Sequence, residues 1–480
     1  MSPELTNSFL TVLPAVVIFG IACIYLLVGM FQDNSSPAGI RSVSGWGIVS
    51  TFLLATIWIG TVWFSLQPSG LVTKLFQSDS VALHGTHLTL LAGVLISAFS
   101  ITHTPRRFAY EFHACLLILL AGSIFLAAAA DLTTLYLSIE MVSLPTTLLL
   151  SISRRDNSGR EATLKYFALS AFASAVFLMG ASYLFGLSGT TSLSGIATAL
   201  ATNDTTLAKV AMALVLAGLA FRVTAVPFHF YAPDVFTGSS LPVAAMIATV
   251  PKIAGFLAII RILGGAQLHT GFVESAGLIL LVLALVTMTS GNFMALAQTK
   301  WRRLLAYSSV AHSGYLLIGV AAALYRGGET TYVLSYLSAY TVMTLGVFAA
   351  LATLTANGDS DPSLADLEGL YQRAPMLCIA LSVCLLSLIG VPLTAGFWAK
   401  FGIFQDAIRT ARTELVVGAV IMAINAAVGA MYYLSLLLRI YRVPHTNSAP
   451  VSTPKFSPSF ALTVVCAAIT ILWFLLPNWM

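Results

Sequence analysis

Residues 218–252 read GLAFRVTAVPFHFYAPDVFTGSSLPVAAMIATVPK. Two apolar stretches meet here, one ending near Pro227 and one opening near Leu241, and both carry charge where an apolar helix should have none. Arg222 lies just before Val226-Pro227, and Lys252 follows Pro251 directly. Proline removes a backbone donor and breaks the hydrogen-bond ladder of a helix. Within a membrane such a break is tolerated only where protein or enclosed water satisfies the freed backbone groups. The segment therefore reads as two membrane crossings, the first interrupted, with cations turned into a protein interior.

The surrounding chain agrees. Its 480 residues are 58% hydrophobic and 9% charged, whereas soluble proteins carry about 25% charged residues. Mean hydropathy is +0.91. A water-soluble fold is excluded, and an all-α polytopic membrane protein remains. At about 20 apolar residues per crossing, the hydropathy pattern gives about 14 transmembrane helices. The first lies at about 9–30 and the last at about 459–477; those that matter most lie at about 131–152, 163–186, 206–228, 241–263, 303–323 and 375–406. The run Phe9 to Met30 is too long for a signal-peptide core and follows no basic region, so it reads as a retained helix. The connection 187–205 is rich in Ser, Thr and Gly and is expected to be a short loop.

Several chemistries are ruled out. The five cysteines, Cys23, Cys115, Cys378, Cys384 and Cys466, fall in apolar stretches without a Cys-x-x-Cys pair and read as small buried hydrophobes. No glycine-rich phosphate loop and no cysteine cluster is present, so no nucleotide, flavin, iron–sulfur or metal site is expected in this chain. If the protein serves a redox enzyme, the electrons move elsewhere.

Basic residues set the direction of the spans. With the N-terminus outside, the inner connections hold thirteen: Arg41, Arg106, Arg107, Arg154, Arg155, Arg160, Lys300, Arg302, Arg303, Arg373, Arg439, Arg442 and Lys455. The outer ones hold six, namely Lys74, Lys209, Arg261, Arg326, Arg409 and Arg412. That excess places both termini on the outer, periplasmic side. The net charge of +5 is therefore topological, and no nucleic-acid surface is expected. Four basic residues, Lys165, Arg222, Lys252 and Lys400, fall inside helices, and Glu140 is the acid placed deep in a span. Each deep charge costs about 2.5–3.5 kcal/mol.

Each of these groups has a chemical use and a structural alternative. Glu140 sits about ten residues from either end of its span, about 15 Å deep. A carboxylate there stays charged against a nearby cation or takes up a proton; a fixed ion pair is the alternative. Lys252 is also central, and a buried lysine can release its proton. Lys400 follows Val391-Pro392 in a segment too long for one straight span, and Gly390 and Gly396 point to a second broken helix. A snorkelling side chain is the alternative there. Arg222 stays protonated and can act only as a fixed charge, opposite Glu140. His312 is central, either a relay or a hydrogen-bonded core histidine. His229, near the inner mouth, suits a relay and an interfacial role equally, and Lys165, just past the inner boundary, a relay and a snorkelling side chain; Glu161 lies one turn before Lys165 on the same face. Tyr307, Ser308, Ser309, Ser313 and Tyr315 can order water or bond neighbouring helices directly.

The two broken segments lie five spans apart, an odd offset that runs equivalent helices in opposite directions, although internal identity is faint. Together with LSIEMVSLP (137–145), REATLKYF (160–167), RRLLAYSSVAHSGYLL (302–317) and GVPLTAGFWAKF (390–401), the segment 218–252 resembles the antiporter-like membrane subunits of proton-pumping NADH-quinone oxidoreductase, respiratory complex I. The likeness spans about residues 110–440. Among the three antiporter-like subunits, the subunit N family is the most similar, on Pro233-Asp234-Val235 and on lysine rather than glutamate at Lys400. No long lateral helix after the last span sets it apart from subunit L.

The resemblance implies two inverted five-helix repeats, with broken helices at spans 7 and 12. It divides the chain into an N-terminal three-helix segment (1–110), a first repeat (111–263), a second repeat (272–440) and a C-terminal loop with the last transmembrane helix (441–480). It implies a proton relay through Glu140, Lys252, His312 and Lys400, with His229 and Lys165 as accessory positions. Arg222 stands where the family usually has lysine. NAD, FMN, iron–sulfur clusters and quinone are implied in partner subunits, with an antiporter-like neighbour, small membrane subunits and the lipid bilayer of the inner membrane as surroundings. A multi-subunit cation/proton antiporter subunit and a non-pumping membrane scaffold remain alternatives.

Overall fold

The computed structural model describes residues 3–31, 37–63, 75–101, 103, 108–202, 205–264, 270–355, 364–442 and 457–475. Lys74, Arg106, Arg107, Lys455 and the side chain of Arg41 lie outside the described residues. The first half of the chain runs through α1 (Pro3–Phe31), α2 (Pro37–Trp63), α3 (Ser80–Ser100), α4 (Ala109–Ala127), α5 (Leu132–Ser153), α6 (Asn157–Ser188), α7 (Leu193–Thr202), α8 (Thr206–Arg222), α9 (Ala232–Gly238) and α10 (Leu241–Leu263). The second half holds α11 (Thr270–Leu296), α12 (Trp301–Tyr325), α13 (Thr331–Leu354), α14 (Leu370–Arg373), α15 (Pro375–Ile389), α16 (Ala395–Arg409), α17 (Thr413–Tyr441) and α18 (Pro458–Leu475). Every expected span contains helix. Among the described residues, eleven helices are long and apolar enough to cross a membrane, and Gly47–Thr61 and Pro375–Ile389 are shorter apolar helices. Among the described residues the only β pairing is two isolated bridges.

Apolar character all round a helix sends it to the centre. α10 is apolar on every face and buried along its whole length, and α12 and α13 are buried nearly as fully. The helices around them turn large apolar side chains outward, among them Leu164 and Phe172 of α6 and Met431 and Leu438 of α17. Lipid supplies no hydrophobic drive for one helix to meet another, so close backbone approach does that work. Gly314 of α12 and Gly291 of α11 show it: a methyl on the first would lie 2.5 Å from the Met288 nitrogen, and on the second 2.6 Å from that of Ala311. Lys252 rides on α10 and His312 on α12, and both are thereby carried into the interior.

Two expectations need correction. The connection 187–205 is not simply a loop, because it contains α7. Leu193, Ile196, Ala197 and Leu200 are buried at the i, i+3, i+4, i+7 spacing of one helical face, a pattern hidden by the Ser, Thr and Gly between them. Arg261 is not a loop cation. It lies in the last turn of α10, buried, with Nε donating to the Ala127 carbonyl at 2.6 Å and two guanidinium nitrogens donating to the Asp79 carboxylate at 2.6 and 2.7 Å. Asp79 also caps α3, accepting from the Ala82 N–H at 2.8 Å. One side chain thus joins the start of α3, the end of α4 and the end of α10.

This tie gives a pH-dependent expectation. Burial pushes the Asp79 carboxyl up, but the Arg261 guanidinium and the Ala82 N–H together pull it further down, to a net position below its usual 3.8. A lowered carboxyl stabilises the fold fully above its usual value and loses that contribution as pH falls through the lowered one. Arg261→Ala should lower the thermal midpoint of the solubilised protein at about pH 7, at a cost of about 3 kcal/mol. The gap between wild-type and variant midpoints should narrow only below about pH 4, to the part that the Ala127 bond and packing supply. A pH-independent gap would show that the guanidinium acts through packing alone.

Candidate functional site

The seventh span is broken as expected, but its helix stops at Arg222, six residues before the expected end. Thr224 adopts a left-handed φ of 56°, the Val226-Pro227 peptide is cis, and α9 resumes the path at Ala232. The groups freed by the break find partners. The Val226 N–H donates to Thr287 Oγ1 at 3.1 Å, the Ala225 N–H to the Ala220 carbonyl at 2.8 Å, and the Tyr231 hydroxyl to the Phe221 carbonyl at 3.2 Å. The twelfth span breaks after α15, where Gly390 takes φ 89°, the left-handed geometry that ends a helix at glycine. Gly396, in the first turn of α16, packs so closely on the Ser387 carbonyl that no side chain fits. Its N–H donates to Ser387 Oγ at 3.0 Å.

Arg222, at the end of α8, meets Glu140 of α5 at 3.3 Å, with side-chain exposures of 4% and 21%. The same guanidinium donates to Ser143, to Ser170 at 3.1 Å and to Ser174 at 3.0 Å, and Ser174 in turn donates to Glu140 at 2.5 Å. Arginine spreads its donors over a planar fork, and here that fork is filled by three serines and one carboxylate. The expected pairing of Arg222 with Glu140 is present.

Lys252 is 1% exposed. Its ammonium donates to the Ser309 carbonyl at 2.6 Å, to Ser309 Oγ at 2.7 Å and to the Tyr340 hydroxyl at 3.4 Å, and it lies 4.6 Å from the centre of the Tyr340 ring. All of these partners are neutral. His312, also 1% exposed, packs on Tyr340 as well, with ring centres 5.2 Å apart. Its Nδ1 is 2.8 Å from the Tyr336 hydroxyl and its Nε2 is 3.5 Å from that of Tyr433, which also bonds Ser308. Lys400 of α16 reaches back across the twelfth-span break to donate to the Leu388 and Ile389 carbonyls at 2.9 and 2.8 Å. These are unpaired carbonyls at the C-terminus of α15, where a cation is favoured. The ammonium also lies 5.2 Å above the ring of Tyr315, whose centre is 5.6 Å from that of His312. The three groups therefore form one row joined by tyrosines, with Lys252 and His312 buried and Lys400 half-buried.

The accessory residues lie apart from that row. Lys165 pairs with Asp234 of α9 at 2.6 Å and with Glu161 at 2.5 Å, and Arg303 of α12 takes the other oxygen of Asp234 at 3.2 Å. Lys165 is thus part of an ionic cluster rather than a free snorkelling side chain. His229 is half-buried on the turn between α8 and α9. Of the hydroxyls that could order water or bond directly, Ser308, Ser309, Ser313 and Tyr315 make direct side-chain bonds.

Residues 129–425 match the family described as NADH:quinone oxidoreductase/Mrp antiporter, transmembrane. The NADH-quinone oxidoreductase subunit N of Anoxybacillus flavithermus is 32% identical over 97% of this chain and 94% of its own. The chain belongs to the subunit N family of NADH-quinone oxidoreductase. A chain of respiratory complex I from Thermus thermophilus superposes with a TM-score of 0.81 at 30% identity, covering 98% of both chains. A chain of the Mrp complex from Dietzia sp. gives a TM-score of 0.82 at 20% identity, covering 99% of this chain and 95% of its own; at that identity the fold alone is shared. As a member of the subunit N family the chain is an antiporter-like, multi-pass membrane subunit of a quinone oxidoreductase.

Sequence reasoning missed several groups around this site. Tyr336 and Tyr340 stand one turn apart on α13 and flank His312, a spacing that puts them on one face but reads equally as ordinary core. Ser174 and Asn292 carried no local signal. Asp406, in the last turn of α16, is a buried acid paired with Arg326 that carried no local signal either.

Proposed function

We propose that this chain is a proton-translocating subunit in the membrane arm of the complex, coupled to quinone reduction in partner subunits that hold NAD, FMN, the iron–sulfur clusters and quinone. Lys252 carries the proposal. Its ammonium is fully enclosed, and among the described residues it has no carboxylate partner. A lysine kept only for structure would be neutralised by an acid or exchanged for an apolar side chain, since a buried charge without a counter-ion costs several kcal/mol. A lysine that gives up and regains its proton meets that cost for only part of a cycle.

Protons enter from the cytoplasmic side past His229 and the Lys165–Asp234 cluster. They pass Lys252 and His312 with tyrosine hydroxyls and water between, and leave outward past Lys400. Glu140 acts through its charge on the neighbouring groups, and Arg222, which keeps its proton, holds that charge in place. Moving one charge against about 100 mV takes about 2.3 kcal/mol, close to the cost of placing one charge deep in a membrane. Opening or covering a single buried cation is therefore the right size to drive one transfer. Two inverted repeats, residues 111–263 and 272–440, supply the two half-paths, and both termini face the periplasm across the inner membrane. An antiporter-like neighbour and small membrane subunits flank the chain.

Sodium dependence separates this proposal from a cation/proton antiporter. In sealed vesicles holding the intact complex, quinone reduction should acidify one side equally with and without sodium or potassium, within about twofold. Acidification that requires either cation, or proceeds on a cation gradient without quinone, would favour the antiporter.

A further inference from the structure

Lys400 owes part of its setting to a ring that another residue holds. Tyr315 is fully buried beneath the ammonium, and a cation over an aromatic face is sensitive to ring position. Asn292 of α11 fixes that ring, its Nδ2 donating to the Tyr315 hydroxyl at 2.9 Å. The same nitrogen reaches the Oδ1 and the carbonyl oxygen of Asn425 on α17, both at 3.1 Å, and Asn292 Oδ1 accepts from the Tyr432 hydroxyl at 3.2 Å. Tyr432 packs on Tyr433, ring centres 4.5 Å apart, and Tyr433 faces His312. One residue of α17 leaves room for this junction. A methyl on Gly429 would lie 3.2 Å from Asn292 Oδ1, 3.6 Å from the Tyr432 hydroxyl and 3.7 Å from that of Tyr315. Three polar atoms from three side chains converge where α17 has no side chain.

We propose that Asn292 is a positioning residue for Lys400, setting the Tyr315 ring beneath the ammonium and tying that ring, through Tyr432 and Tyr433, to the His312 side of the row. The inference rests on the relay described above. Asn292 carries no proton itself; its amide is fully buried, uncharged, and bonded at both nitrogen and oxygen. A hydrogen-bonded network of this kind holds its members in one arrangement, and its effects are shared rather than additive.

The test uses the assembled complex in sealed vesicles, with protons pumped per quinone reduced as the readout. Asn292→Leu, close in shape, should assemble and lose about fivefold in pumping. Asn292→Gln, which keeps the amide, should recover part of the loss. Tyr315→Phe keeps the ring but removes the bonded hydroxyl, so combining it with Asn292→Leu should be no worse than the stronger single change. Should Asn292→Leu fail to assemble, Gly429→Ala replaces it. Its methyl meets contacts that yield by a few tenths of an ångström, and it should reduce pumping with assembly intact. Wild-type pumping in either assembled variant, while Lys400→Ala is impaired, overturns the role of Asn292 and leaves the relay standing. Wild-type pumping in Lys400→Ala overturns both.

Discussion

Lys252→Met should leave the complex assembled and remove proton pumping by this chain, lowering the coupled rate at least about tenfold, the equivalent of about 1.4 kcal/mol. Methionine nearly matches lysine in length and is unbranched, so the cavity around α10 stays filled. The groups left behind are also partly provided for. The Tyr340 hydroxyl already donates to Ser309 Oγ at 2.9 Å, a bond that does not involve the ammonium. Any loss therefore reports the missing charge and its proton rather than a collapsed core. Proton release and quinone reduction are measured together on the same vesicles, with complex content checked on a native gel. Normal pumping in an assembled complex would return the buried charges to a structural role and bring forward the scaffold alternative.

The Arg222 site gives the second large effect, and here charge and geometry separate. Arg222→Lys keeps a positive charge beside Glu140 but gives up the planar fork that reaches Ser143, Ser170 and Ser174. Assembly and most of the pumping should survive. Arg222→Ala leaves Glu140 without its cation, and breaking a buried pair in this way costs about 3–5 kcal/mol. Pumping should fall about tenfold or more, with a lower thermal midpoint. Adding Glu140→Gln to Arg222→Ala removes the stranded charge, so the midpoint should recover while pumping does not. Recovery of both would mean that the pair serves the fold and that proton transfer runs without it.

How far the site was legible follows from the range of each cause. Pro227, the charges at Arg222, Lys252 and Lys400, and Gly390 before Val391-Pro392 act within one or two turns of themselves, whereas α10 runs unbroken through Pro251. The broken helices and the intramembrane cations could thus be located before any packing was known. The placement of the seventh-span break slipped because the stop at Arg222 depends on Thr287, on another helix, receiving the Val226 N–H. The expected loop at 187–205 concealed α7 because its buried face becomes apparent only when Leu193 and Ile196 have something to cover. Arg261 passed as a loop cation because Asp79, its partner, lies 182 residues earlier.

From the sequence alone came the membrane class, the two interrupted helices and the list of charges that carry a penalty in the bilayer. Each is a local matter of hydropathy, backbone donors and charge, which act on a residue wherever it stands in the fold. The tertiary structure decided the company those charges keep: three serines and Glu140 around Arg222, Ser309 and Tyr340 on Lys252, two helix-end carbonyls and the Tyr315 ring under Lys400. Such partners come from helices far apart in the chain, brought together by backbone contacts that no local pattern records, and hydrogen bonds act only over about 3 Å.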